Sequence, residues 1–211
     1  MNSYVLIKTP KCGSETIRNI LIESKKWKQE EILDVGFQEI FNFKEKKYNL
    51  YINHILYNDQ YVKHINNIMI NNIIYFSCVR HPLDRAISHY YYSNHYKSKY
   101  DFNEFYDLFG NTEDKGYGSN DKINNCMSFY MGITDSSQIN EEYLKNKYGL
   151  IVSLDNDFIN KICKYFDIKY VNKHSNKTNK PDLIVDPKIK EKFIENNKLD
   201  YMLYEIVNKI Y

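Results

Sequence analysis

Two short passages carry residue types that can do chemistry together. The first is Thr9-Pro10-Lys11-Cys12-Gly13-Ser14-Glu15-Thr16, which precedes an apolar pattern at helical spacing. Gly13 allows a close backbone approach, and a helix starting near Ser14 presents unpaired N–H groups at the positive end of its dipole. Lys11 adds a full charge, and Ser14 and Thr16 add hydroxyls, so the loop has the parts of an anion cradle. Taken alone, it also serves as ordinary turn and capping chemistry. It is not the Gly-x4-Gly-Lys phosphate loop, because here the lysine precedes the only glycine.

The second passage runs from Cys78 to Tyr92. A buried-looking apolar run ends directly in Arg80, Pro82 occupies a first helical position, and Ser88 falls about two turns later. A guanidinium fork beside a hydroxyl suits a phosphate monoester. The structural alternative makes Arg80 an ion-pair partner and Ser88 a neutral helix residue. Arg85 reads as structural, facing a carboxylate, and Tyr90 to Tyr92 read as core and rim packing. Between the passages lies His54, whose imidazole is available in neutral form near pH 7 and can accept a proton. The chain has six histidines. His64, His89 and His95 fall on expected helices, His81 follows Arg80, and His174 lies in a polar loop.

The elements that position these residues follow from periodicity. Tyr4 to Ile7 reads as a strand followed by a helix, and Leu50 to Ile52 as a strand followed by a helix over about 59–69. Ile73 to Val79 reads as a strand buried on both faces, with a helix from Pro82 to about Tyr96. Residues 101–132 read as two helices flanking a glycine-containing loop. Leu150 to Leu154 reads as a strand, followed by helices over 155–166, 187–196 and 199–210. Strands alternating with helices imply right-handed crossovers and one α/β domain, residues 1–211, with a parallel sheet covered by helices on both faces. Ligands of such sheets bind at the carboxyl ends of the strands. That rule gathers Lys11 to Ser14, His54 and Arg80 into one crevice.

Composition narrows the partners. With 29 basic and 27 acidic residues the net charge of +2 makes no case for nucleic acid. The lysine clusters at 25–28, 44–47 and 169–180 read as solvated faces. The four cysteines stand singly without metal-ligand spacing, so no metal is expected. No run approaches the length of a membrane span. No signal-peptide pattern precedes Tyr4. The expectation is a soluble, cytoplasmic protein, with an anchor outside this chain left open.

Taken together, the passages resemble the carbohydrate sulfotransferases that use 3′-phosphoadenosine 5′-phosphosulfate (PAPS), in particular the heparan sulfate 2-O type. Pro10 to Thr16 match that family's first motif. Arg80, Pro82, Arg85, Ser88, Tyr90 and Tyr91 match its second. Asn124 to Gly132 resemble a family helix ending in Leu-x-Gly, and Asn176-Lys177-Thr178 resemble its nucleotide-covering loop. The resemblance implies a P-loop-NTPase-like sulfotransferase fold. It places the 5′-phosphosulfate on Lys11, Cys12, Gly13, Ser14, Glu15 and Thr16, the 3′-phosphate on Arg80 and Ser88, and the nucleotide under Asn176, Lys177 and Thr178. His54 becomes the base and Lys11 the stabiliser of the leaving group. PAP is then the product and a glycan hydroxyl the favoured acceptor, with tyrosine or a small alcohol as alternatives. Cys12 replaces the family's usual threonine, and Glu15 sets a carboxylate beside an anion cradle. Two other readings stay open: a P-loop nucleoside or nucleotide kinase, and a non-catalytic PAP-binding module.

Overall fold

In the computed structural model, which describes residues 2–36, 38–92, 97–110, 124–169 and 183–211, five parallel strands form one sheet in the order β2-β3-β1-β4-β5. These are β1 (Ser3–Ile7), β2 (Ile32–Leu33), β3 (Leu50–Asn53), β4 (Ile73–Val79) and β5 (Leu150–Ser153). Val5, Leu6 and Ile7 of β1 have no exposed surface, as expected of a central strand covered on both faces. The register pairs Ile7 with Asn53 of β3 on one side and with Ser77 of β4 on the other. The carboxyl ends of β3, β1 and β4 therefore lie side by side.

Helices α1 (Ser14–Glu23), α2 (Asp59–Ile68) and α3 (Pro82–Tyr92) follow β1, β3 and β4 respectively. Further on come α4 (Phe102–Phe109), α5 (Cys126–Tyr130), α6 (Glu141–Lys147), α7 (Phe158–Phe166), α8 (Pro187–Asn196) and α9 (Lys198–Ile210). Helix α1 buries Ile17, Ile20 and Leu21, the i, i+3, i+4 stripe that its sequence shows. In α2, the side chain of Asn58 accepts from the Tyr61 N–H and caps the helix start. Asn125, in a left-handed conformation with φ 48°, precedes α5.

Several boundaries differ from the sequence expectations. The two-residue β2 is too short to show a period, and α6 buries only Leu144, so neither announces itself. Helix α7 starts at Phe158 and not near Asp155. The Asp155 carboxylate instead accepts from the Asp157 N–H and pairs with Lys161, forming a polar turn ahead of the helix. The described part of α3 ends at Tyr92; residues 93–96 lie outside the described set. Among the described residues, no helix is long and apolar enough to cross a membrane.

The carboxylate of Asp200, with no exposed surface, ties α9 to α5. It accepts from the N–H groups of Met127 and Ser128 at 3.1 and 2.8 Å and from the Ser128 hydroxyl at 2.7 Å. Burial raises its pKa above the ordinary carboxylate range, against the Ser128 hydrogen bonds and the charge of the buried Arg85. Arg85, read from the sequence as facing a carboxylate, is buried, and its charge acts on Asp200. Asp200→Ala is expected to lower stability by roughly 3–5 kcal/mol, because buried donors and a buried cation lose their compensation. Asp200→Asn, which keeps one acceptor, should cost less. Urea unfolding of both variants checks this, and an Ala variant within about 0.5 kcal/mol of wild type would contradict the network's role.

Candidate active site

The loop after β1 is built around an uncommon backbone. Lys11 and Gly13 both have positive φ, 62° and 85°. A Cβ on Gly13 would lie 2.8 Å from Leu154 Cδ1 and 3.1 Å from a Phe158 ring carbon, so the position is closed to side chains both conformationally and sterically. Gly13 is the N-cap of the ten-residue α1, and no side chain caps that helix. Its first amides are therefore unclaimed by a cap and face the loop, which is the local requirement for holding an anion.

The side chains of this loop divide the work differently from the sequence expectation. Ser14 is buried, and its hydroxyl donates to the Thr9 carbonyl at 3.2 Å, closing the loop on itself. Cys12 has no exposed surface and belongs to the apolar core, its thiol directed at the Pro10 carbonyl; burial raises its pKa, so it stays a thiol. Only the backbone of Cys12 can serve a ligand. The Glu15 carboxylate is held by Lys8 at 2.7 Å and Arg18 at 3.3 Å. Burial acts to raise its pKa, and the Lys8 hydrogen bond and charge together with Arg18 outweigh that and lower it. The acidic residue beside the cradle is thereby paired with one cation from the end of β1 and one from its own helix.

Lys11 and Arg80 are brought together. An Arg80 guanidinium N–H donates to the Lys11 carbonyl at 3.3 Å, and the pKa of Lys11 is lowered by burial and by the charge of Arg80. The Arg80 backbone N–H donates to the Met127 sulfur at 3.3 Å. Ser88 is buried on α3, about 9 Å of helix rise beyond Pro82, and no hydrogen bond joins it to Arg80 among the described residues. Asn176, Lys177 and Thr178 lie outside the described residues.

His54 follows β3 directly. Its Nδ1 lies 2.7 Å from the Lys8 carbonyl; a carbonyl only accepts, so Nδ1 carries the proton and Nε2 the lone pair. Its backbone N–H donates to Asn53 Oδ1 at 2.7 Å, and the Asn53 amide donates to Asp34 at 3.1 Å. Asp34 in turn accepts from Arg18 Nε at 2.7 Å. This chain of contacts, Arg18–Asp34–Asn53–His54, was not anticipated. Asp34 follows the short β2, and only knowledge of that strand would have placed it at the carboxyl edge. The other described histidines have structural surroundings: His64 meets the Ile40 carbonyl at 2.8 Å, His81 packs edge-on against Tyr201 and Tyr204, and His89 is buried in α3.

Two surface hollows lie elsewhere. One is lined by Lys46, Asn66, Asn71 and Asn72 at the amino ends of the strands, the other by Tyr57, Asp59, Tyr143 and Lys147. Neither lining includes Lys11, His54 or Arg80. Among the described residues, no group of three or more His, Cys, Asp or Glu could hold a metal ion.

A carboxyl-edge crevice with a helix N-terminus and two adjacent cations is the arrangement by which parallel α/β proteins receive phosphorylated ligands. The particular assignment comes from comparison: the profile of the sulfotransferase family matches residues 2–206, and the chain belongs to that family. Sulfuryl transfer is the family's chemistry, and PAPS is its general donor. The kinase alternative gives way to this assignment. A search of curated proteins finds no match.

Gly13→Ala is expected to destabilise by roughly 1–3 kcal/mol, from the positive φ and the contact with Leu154. Chemical denaturation checks it; a change below about 0.5 kcal/mol would mean that the loop tolerates a different backbone.

Proposed function

We propose that this chain transfers the sulfuryl group of PAPS to a hydroxyl of a carbohydrate. The observation that carries the reading is the meeting of Lys11 and Arg80 at the mouth of α1. The charge of Arg80 reaches the Lys11 ammonium and disfavours it, and a polyanionic ligand between the two turns that repulsion into attraction. Arg80 and Ser88 take the 3′-phosphate, which distinguishes PAPS from ATP. The amides from Cys12 to Thr16 and the Lys11 ammonium take the 5′-phosphosulfate.

In the reaction, the acceptor oxygen forms a bond to sulfur while the bond from sulfur to the bridging phosphate oxygen breaks. The hydroxyl proton passes to His54 Nε2, and the electron pair leaves with PAP. Lys11 meets the charge that develops on the departing oxygen. By analogy with loose phosphoryl transfer, positioning and charge stabilisation supply most of the acceleration. The tautomer imposed by the Lys8 carbonyl supports the role of His54, since it directs the lone pair away from the backbone. The neutral environment built by Lys8–Glu15 and Arg18–Asp34 on the His54 side favours a hydroxyl acceptor over a further anion.

Two outcomes are expected. PAP should raise the melting temperature more than ADP does, by an increment that Arg80→Ala removes; a charge-assisted contact of roughly 1.5–3 kcal/mol is at stake. Equal shifts with PAP and ADP would remove the 3′-phosphate from the Arg80 site. His54→Ala should leave PAP affinity nearly unchanged while cutting transfer of labelled sulfate by roughly 10²–10⁴, whereas Lys11→Ala should lower both. A wild-type protein that binds PAP yet transfers no sulfate to any glycan or alcohol would favour the non-catalytic module.

A further inference from the structure

The Lys11 ammonium lies 3.9 Å from the centre of the Tyr92 ring. Tyr92 is the last described residue of α3 and is 74% exposed, so packing does not account for its position. It stands one turn beyond Ser88 on the same helix face. The backbone of Lys11 is fixed by its left-handed conformation and by the Arg80 contact to its carbonyl. Only the side-chain torsions therefore decide where the ammonium rests. The charge of Arg80, which has no ion pair among the described residues, already lowers the Lys11 pKa, so it disfavours ammonium positions nearer that guanidinium.

We propose that Tyr92 is a positioning residue, a resting face that holds the Lys11 ammonium while the site is empty and gives it up when an anionic ligand enters. The ring offers an electrostatically negative surface without a carboxylate that would compete with the ligand for good. A carboxylate there would pair with Lys11 permanently; an aromatic face is weak enough to be displaced. Ligand charge offsets Arg80, the repulsion that favours the ring disappears, and the ammonium moves to the anion. Binding is thereby linked to a shift between two lysine positions, and the ring contact lowers affinity by as much as it stabilises the resting one.

The proposal rests on the assignment of PAP to this crevice, and its test separates the two. PAP affinity is measured by calorimetry for wild type, Tyr92→Leu and Tyr92→Phe, each with and without Lys11→Met. Tyr92→Leu is expected to bind PAP about two- to fivefold more tightly, the worth of an exposed cation–π contact. Tyr92→Phe should behave as wild type, and neither change should matter once Lys11 is Met, as a double-mutant cycle requires. Unchanged affinity in Tyr92→Leu overturns the proposal, and so does weaker binding, which would make the ring a wall of the nucleotide site. A second readout needs no nucleotide: reductive methylation of Lys11 in the empty protein, followed by peptide mass spectrometry. It should run faster in Tyr92→Leu than in wild type or Tyr92→Phe, and equal rates overturn the resting contact. If wild type fails to bind PAP, the functional assignment falls and the methylation result still decides the role of Tyr92.

Discussion

Every candidate group depends on the pairing of β1 between β3 and β4. Parallel neighbours lie about 4.8 Å apart, so the common register at Ile7, Asn53 and Ser77 puts three strand exits within reach of one another. Side chains then lock the edge. The Thr9 hydroxyl donates to the Cys78 carbonyl and the Ser77 hydroxyl to the Ile7 carbonyl, and the His54 ring meets the Lys8 carbonyl. A slip of one residue would turn each of these side chains to the opposite face. The buried apolar surface of Val5, Leu6 and Ile7 on a sheet covered from both sides makes such a slip costly, so packing and site geometry are specified by the same residues.

Charge is arranged in two unlike halves around that edge. Toward β4, Arg80 lies on the Lys11 carbonyl, and burial together with the Arg80 charge lowers the lysine's pKa. Toward β3, each charge has a partner: Lys8 with Glu15, Arg18 with Asp34. The division accommodates an acidic residue in the first turn of α1, the helix proposed to hold the anion. Glu15 complements the helix dipole from the flank, and its charge is cancelled by Lys8 before it can oppose a ligand. Its side chain is half exposed, so solvent screens what remains.

The sheet and the loop-to-helix turn after β1 were legible because their signals are local. A run such as Ile73 to Val79 ending in Arg80 needs no tertiary information to be read as a strand with a cation at its exit, and the strand is found with those bounds. Pro82 marked the start of α3 for the same reason. The commitments of individual side chains were not legible. Ser14 looked like a ligand donor and instead closes its own loop on Thr9. Cys12 sits within a cradle sequence yet points into the core. Tyr90 and Tyr92 look alike in the chain, but one is buried and the other covers Lys11. Direction within a loop or around a helix is set by what packs against it, and partners such as Leu154 and Phe158 for Gly13 and Lys11 for Tyr92 are remote in sequence.

The C-terminal helices belong to the site's scaffold for a similar reason. Arg80 leaves β4 with its backbone N–H on the Met127 sulfur. Met127 and Ser128 are held by the Asp200 carboxylate, while Asn125 is held from the α8–α9 junction by Asn196 and Asn197. The short α5 has five residues, too few to stand without tertiary support; its amides are satisfied by a carboxylate about seventy positions away. Arg85, on the turn of α3 after Pro82, supplies the charge that makes a fully buried Asp200 tolerable. The part-buried guanidinium of Arg80, on the Lys11 carbonyl, and the buried one of Arg85 thus leave the same strand–helix junction with different surroundings. The two arginines of the second motif are thereby tied to one scaffold, Arg80 through its backbone on Met127 and Arg85 through its charge on the Asp200 that holds Met127.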